Sequence, residues 1–169
     1  MRNFFTVITI FIFLFFNSCQ VSVTTGHGDD TNTSSKIRNG IELHESGGLK
    51  AEQAFLTLED GSLIPENNNV KVDEKVQCHL IVSGWQKEND MVFPGASEKI
   101  GTSDGDVILD EADLFLTYET GVKPEDAKYI TLSATITRVE KLFDFYLISF
   151  RIWDKKGSGQ ITGSYKLHI

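Results

Sequence analysis

An alternation of apolar and polar residues with a period of two is the feature that most restricts the fold of this chain. It is clearest near the C-terminal end, in residues 130–136, 146–152 and 161–169, where apolar residues occupy most alternate positions. Successive side chains of a strand point to opposite faces of its sheet, so each segment has one apolar and one mostly polar face. This pattern is typical of antiparallel sheets that pack one face on a core.

Similar but shorter patterns, separated by turn residues, precede these three segments. Asp60-Gly61 and Asp104-Gly105 are typical hairpin turns, and residues 154–159 form a flexible hairpin loop. Pro124 begins one short helical turn over residues 124–127. The further strand candidates are residues 41–44, 53–59, 76–85, 98–102, 106–109 and 114–117. Together they predict an all-β domain over residues 41–169, an antiparallel two-sheet β-sandwich that resembles Ig-like or C2-like modules in pattern only.

The chain has two cysteines, Cys19 and Cys78. Cys78 lies on the face of a predicted strand that also carries Val76 and Leu80, which predicts a buried thiol that packs as a small apolar residue. Cys19 follows the apolar N-terminal segment. If Cys19 is covalently modified, Cys78 has no cysteine partner and no intrachain disulfide is possible. Two cysteines without a CxxC pair are also too few for a thiolate zinc site.

The first nineteen residues, MRNFFTVITIFIFLFFNSC, have the pattern of a secretory signal. Arg2 supplies a positive start, and residues 4–16 are uncharged. That apolar run fits the core of a signal peptide and is shorter than the roughly 20 residues that span a bilayer.

The segment Phe16-Asn17-Ser18-Cys19 resembles the lipobox of bacterial lipoproteins, in the looser form of Bacteroidota-type bacteria. Phe16 and Asn17 stand where the usual pattern has Leu and a small residue, whereas Ser18 and Cys19 match it. The resemblance implies a signal peptide over residues 1–18 and a lipid on Cys19. Gln20 follows the cysteine without nearby acidic residues, which implies the outer membrane and its periplasmic side. The alternative is an ordinary signal and a soluble secreted protein.

Residues 20–40 are rich in Ser, Thr, Gly, Asn and Asp and have no apolar period. Such a segment buries too little surface to offset its ordering entropy. We expect residues 19–40 to comprise the lipidated cysteine and a flexible tether.

The formal net charge of −8 argues against binding to nucleic acid or to anionic lipid through a basic patch. Motifs for catalysis are absent: the sequence has no GxSxG segment, and His44, His79 and His168 fall on the polar sides of strands. We therefore predict that the protein is not an enzyme. A pair of carboxylates that acts on glycosides stays open as an alternative.

Four aspartates, Asp104, Asp106, Asp110 and Asp113, are weak candidates for a calcium site, because loop carboxylates suit Ca²⁺. The segment does not match an EF-hand loop. Asp106 and Asp110 also flank a predicted strand, which would place them roughly 13 Å apart. The favoured interpretation is a hairpin turn with solvated carboxylates and no cofactor besides the lipid.

Aromatic side chains give the second candidate surface for a ligand or partner. Trp153 shares the outward face of its strand with Arg151, and Trp85 lies on the same side of its strand as His79. Exposed tryptophans stack on sugars or anchor protein partners. The alternative is that a loop or the other sheet covers this face.

Three functions follow, in order of preference. The first is a membrane-anchored, non-catalytic module that binds or assembles with an envelope protein. The second is a lipoprotein that binds a glycan or calcium. The third is a small envelope enzyme. A shallow surface would disfavour the enzyme, whereas a deep cleft with a perturbed carboxylate would favour it.

Overall fold

A computed structural model describes residues 36–137, 141 and 143–169. Within these residues, eight strands form two antiparallel sheets, and no helix is long and apolar enough to cross a membrane. The strands are β1 (Glu42–Ser46), β2 (Lys50–Leu58), β3 (Lys75–Ser83), β4 (Pro94–Thr102), β5 (Val107–Glu111), β6 (Tyr129–Thr135), β7 (Tyr146–Asp154) and β8 (Gln160–Leu167). The predicted all-β two-sheet sandwich is confirmed. The predicted signal peptide, Cys19 and most of the predicted tether lie outside the described residues.

The five-stranded sheet has the order β1-β8-β7-β4-β5, and the three-stranded sheet has the order β2-β3-β6. Consecutive strands β1 and β2 lie in different sheets, and the turn between them contains Gly47 and Gly48. Both have positive φ, +62° and +99°, which favours glycine. A Cβ on Gly47 would lie 2.0 Å from the carbonyl oxygen of Ser158, so the turn rests directly on the β7–β8 hairpin.

The inward faces of the two sheets share one apolar core. Burying each large aliphatic side chain of such a core contributes about 1.5–3 kcal/mol. Fully or almost fully buried members include Leu56, Cys78, Leu80 and Leu132 from the three-stranded sheet, and Ile148, Ile152, Ile161 and Tyr165 from the five-stranded sheet. The predicted burial of Cys78 is confirmed. Ile169 departs from the predicted apolar face, because β8 ends at Leu167 and Ile169 is 36% exposed.

Residues 36–40, which the sequence predicts as the end of the tether, are held against β2 by hydrogen bonds. Arg38 donates its backbone N–H to the carbonyl oxygen of Ala54 on β2 at 2.9 Å. Asn39 is 1% exposed, and its side chain bonds Leu56 N and Asn68 Oδ1, each at 3.0 Å. These bonds hold an otherwise polar segment against β2, which its composition alone did not indicate.

Residues 114–117, predicted as a strand, form a turn instead. The Asp113 carboxylate accepts the backbone N–H groups of Phe115 at 2.9 Å and Ala96 at 3.3 Å. A short acidic side chain that bonds the backbone two residues ahead favours a turn over a strand. The expected helical turn after Pro124 is a run of turns over residues 124–128.

Strand β4 carries an ionisable residue into the core. Glu98 alternates with Ala96 and Ile100 on the inward face and is 2% exposed. Among the described residues, neither Glu98 Oε1 nor the Tyr165 hydroxyl has a hydrogen-bond partner. Burial raises the pKa of Glu98 to about 8, because the charged carboxylate would lose its hydration. The carboxyl group is therefore mostly protonated in the folded protein at neutral pH.

This burial predicts a pH-dependent stability. The pKa of Glu98 is about 8 in the folded chain and near its ordinary value of 4.5 in the unfolded chain, so the folded chain binds more protons between these values. The free energy of unfolding therefore falls as pH rises through this window and levels off above it. Glu98→Gln should remove this contribution, which is at most about 1.4 kcal/mol for each pH unit.

Urea unfolding of both proteins across this pH window measures the effect. Glu125→Gln, at an exposed loop position, is the matched control and should keep the wild-type slope. Parallel pH profiles for wild type and Glu98→Gln would contradict the prediction.

Candidate functional site

The outer face of the five-stranded sheet carries a shallow groove of about 450 Å³. Every strand of that sheet contributes to its lining. The lining residues are Glu42, His44, Ser97, Glu98, Lys99, Asp110, Ser149, Phe150, Arg151, Thr162, Gly163 and Ser164. Most are the polar residues that alternate with the buried positions of each strand. The groove is therefore a direct product of the period-two pattern.

Side-chain size explains why this face is concave. The central strands β8, β7 and β4 place short side chains outward, among them Ser164, Ser149 and Ser97. The outer strands carry longer side chains, His44 on β1 and Asp110 on β5. The short residues leave a depression between these side chains and those of Arg151 and Lys99, which also line the groove.

Strand register arranges the outward side chains in rows across the sheet. One row contains His44, Thr162, Arg151 and Ser97, which are successive partners on β1, β8, β7 and β4.

The adjacent row runs through Glu42, Ser164, Ser149, Lys99 and Asp110, from β1 to β5. Neighbouring strands lie about 4.8 Å apart, so this row extends roughly 19 Å. Such a length accommodates an extended ligand.

Many polar groups in the groove are available to a ligand. Within the described residues, the hydroxyl groups of Ser97, Ser149, Thr162 and Ser164 make no side-chain hydrogen bond to the protein. Lys99 lies 3.9 Å from Asp110, and both side chains are largely exposed. A surface with this many unused donors and acceptors is suited to a ligand rich in hydroxyl groups.

Trp153 flanks the groove as the next outward residue after Arg151 on β7. Its indole lies over the neighbouring strand, because a Cβ on Gly95 would be 2.2 Å from Trp153 Cε2. The Arg151 guanidinium lies 5.0 Å from the centroid of the same ring, a cation–π distance. The structure thus brings together two of the predicted surface residues, Trp153 and Arg151.

Trp85 does not belong to this surface. Strand β3 ends at Ser83, and Gly84 turns the chain with a φ of +90°. Trp85 is therefore directed towards the core, where it is partly buried, and its Nε1–H donates to the carbonyl oxygen of Ala127 at 3.1 Å. Its indole supports the packing of the loop before β6.

His79 lies on the outer face of the other sheet. Its ring nitrogens bond the hydroxyl groups of Thr57 at 2.8 Å and Thr131 at 3.1 Å, and the ring stacks on Phe55. Burial lowers the pKa of His79. His79 and Trp153 therefore lie on different sheets and do not form one site.

The four aspartates are distributed along the β5 region. Asp104 and Asp106 lie in the turn between β4 and β5, Asp110 lies within β5, and Asp113 follows that strand. In the described part of the chain, no three His, Cys, Asp or Glu side chains are grouped as metal ligands.

Two of these aspartates form ion pairs with different lysines. Asp104 pairs with Lys141, and the hydrogen bond from this lysine lowers the pKa of Asp104. Asp113 pairs with Lys155 at 2.7 Å. Burial opposes ionisation of Asp113, but the bonds from Lys155 and the backbone keep the pKa of its carboxyl group low. Both carboxylates thus have structural partners.

Sequence reasoning missed the serines and threonine of the groove. Each occupies a polar position of a strand, and such positions are most often simply solvated. Their grouping depends on the lateral order of strands that are far apart in the sequence. The sequence showed only that these residues lie on the polar side of their strands, and not which of them lie next to each other.

No protein-family model and no curated protein matches the sequence. Among solved structures, the C-terminal domain of wzt is similar, with a TM-score of 0.49 and 18% identity, over 79% of this chain and 80% of that chain. The fold assignment rests on the strand order and the core described above.

The close approach of Trp153 to Gly95 predicts that Gly95→Ala displaces the indole from the sheet. In a Trp85→Phe background, where Trp153 is the remaining tryptophan, its emission should shift to longer wavelength as the ring becomes more exposed.

Gly101→Ala on the same strand is the matched control, because a Cβ there would meet only the Asp106 carbonyl oxygen, at 3.4 Å. Its emission should stay that of the parent protein. Unchanged emission in Gly95→Ala would show that the ring does not depend on this contact.

Proposed function

We propose that the protein is a non-catalytic glycan-binding module, attached to the bacterial envelope by a lipid on Cys19. The observation that carries the proposal is the groove across the five-stranded sheet, with its unpaired hydroxyl groups and the Trp153 ring beside it. This is the second of the functions inferred from the sequence, and the groove favours it over the first.

The chemistry of the groove matches that of a sugar chain. Sugar hydroxyl groups act as donors and acceptors, and the serine and threonine hydroxyl groups of the groove can take either role. A tryptophan offers a flat apolar surface on which the apolar face of a sugar ring packs. The row of outward side chains from Glu42 to Asp110, roughly 19 Å long by strand spacing, is long enough for several sugar units of an extended chain.

The separation of the acidic side chains supports binding without catalysis. Glu42 and Asp110 lie at opposite ends of one row, four strand spacings apart, or roughly 19 Å. The two carboxyl groups of a glycosidase are about 5–9.5 Å apart. Glu98 lies between them along the sheet, but its side chain is buried in the core.

Binding to a protein partner is the second candidate function. It is the function that the sequence alone favoured. Strand β5 is an edge strand with two exposed apolar side chains, Val107 at 53% and Ile108 at 48%. Such an edge has unpaired backbone groups that a partner strand can bind. In-cell crosslinking followed by pull-down distinguishes this candidate, because it would recover one reproducible envelope protein.

Binding to a glycan array tests the glycan proposal. The mature chain, purified in detergent, should bind a defined set of oligosaccharides. Trp153→Ala should lower the affinity by about 30-fold, since loss of a tryptophan that packs on the ligand costs about 2 kcal/mol. Tyr129→Ala is the matched control, because this aromatic residue is 62% exposed on the other sheet.

Two results would count against the proposal. If no glycan on the array binds the protein, a glycan is not its ligand. If the Trp153 and Tyr129 variants lose the same amount of affinity, the groove is not the binding site.

Lipid attachment has its own test. Palmitate fed to the producing cells should label the wild-type protein. Cys19→Ser should lose the label, because the lipid is attached through the sulfur atom of Cys19. Label retained by Cys19→Ser, or absent from the wild type, would contradict lipidation. Cys78→Ser, which alters the buried thiol, should keep the label.

A further inference from the structure

We propose that the groove selects glycans that carry an acidic group, and that Arg151 binds this group. The inference rests on the proposed glycan-binding function and narrows it to one class of sugar chain. The acidic group is a carboxylate, sulfate or phosphate on a sugar ring, since the arginine fork matches the oxygen geometry of such anions.

Arg151 is a cation whose directly adjacent outward neighbours are uncharged. In its row it lies between Thr162 on β8 and Ser97 on β4. Along its own strand, Ser149 and Trp153 are the adjacent outward residues. Among the described residues, no carboxylate forms an ion pair with this guanidinium.

Arg38, unlike Arg151, forms an ion pair with a carboxylate, so the composition of the chain does not explain why Arg151 has none. Arg38 binds Glu66 at 3.0 Å. The chain has 24 acidic and 16 basic residues, so carboxylates are the more abundant partners. A sequence this acidic nevertheless places its groove arginine among hydroxyl groups and an indole.

Trp153 holds the guanidinium in place without using its hydrogen-bond donors. The guanidinium Cζ lies 5.0 Å from the ring centroid, and a cation–π contact of this kind uses none of the N–H groups as hydrogen-bond donors to an oxygen. A side chain that is already positioned loses less entropy when an anion binds. The pair thus offers a positioned guanidinium fork on β7, the middle strand of the groove.

The charges of the groove also give the ligand an orientation. Glu42 and Asp110 belong to the row beyond Arg151, at its two ends. Lys99 offsets the charge of Asp110. An anion is therefore favoured near Arg151, whereas the Glu42 end accepts hydrogen bonds from sugar hydroxyl groups.

An array of matched glycan pairs tests the inference. Each pair differs only in the acidic group: galacturonate and galactose oligomers, glucuronate and glucose oligomers, sialylated and desialylated chains, and sulfated or phosphorylated and plain mannose oligomers. The wild-type mature chain should bind the acidic member of its preferred pair about tenfold more tightly or better, the size expected for a charged hydrogen bond. The pair that binds best identifies the anion.

Two variants assign this preference to Arg151. Arg151→Gln should bind both members of the preferred pair equally, because the glutamine carries no charge to attract the acidic group. Arg151→Lys, which keeps the charge and loses the fork, should recover part of the preference. Lys123→Gln makes the same charge change at an exposed position outside the groove and should behave as wild type.

The outcomes separate this inference from the proposed function. Equal binding of both members by the wild type overturns the acidic preference and leaves glycan binding intact. A preference that survives in Arg151→Gln overturns the role of Arg151. An array with no bound glycan at all overturns both proposals.

Discussion

Burial of one face of each sheet against the other is the constraint on which the rest of the structure depends. Because strand side chains alternate, placing Ile148, Phe150 and Ile152 in the core obliges Ser149, Arg151 and Trp153 to face outward. A shift of register by one residue would exchange the two sets and remove both the core and the groove. The groove is thus as well determined as the core behind it, although its own side chains contribute little to stability.

Loop positions are secured by buried polar contacts of a different kind. Asp154 is 4% exposed, and its carboxylate accepts the backbone N–H groups of Gln86, Lys156 and Gly157. This fixes the end of β7 directly after Trp153. Buried carboxylates that bind backbone groups in this way are structural, which distinguishes them from the exposed acids of the groove.

Strand β4 supplies side chains both to the core and to the proposed binding face, and Glu98 is on the core side. Its side chain is buried among apolar residues, whereas its neighbours Ser97 and Lys99 face the groove. A neutral side chain at this position would avoid the cost of keeping the carboxyl group protonated at neutral pH. An acidic residue at this position therefore lowers the free energy of unfolding at neutral pH. The groove lies on the opposite face of the same strand.

Local pattern determined the fold class, the burial of Cys78 and the outward position of Trp153 and Arg151, because a period of two depends only on neighbouring residues. Tertiary structure decided which outward residues meet. Strands β1 and β4 are distant in sequence from the β7–β8 hairpin, and the lateral order of the four strands created the row from His44 to Ser97. The same strand order placed His79 and Trp153 in different sheets. A hydrogen bond from the backbone of Phe115 to the Asp113 side chain favoured a turn over a strand in residues 114–117. Lateral strand order arises from long-range packing, which no local pattern of residues encodes.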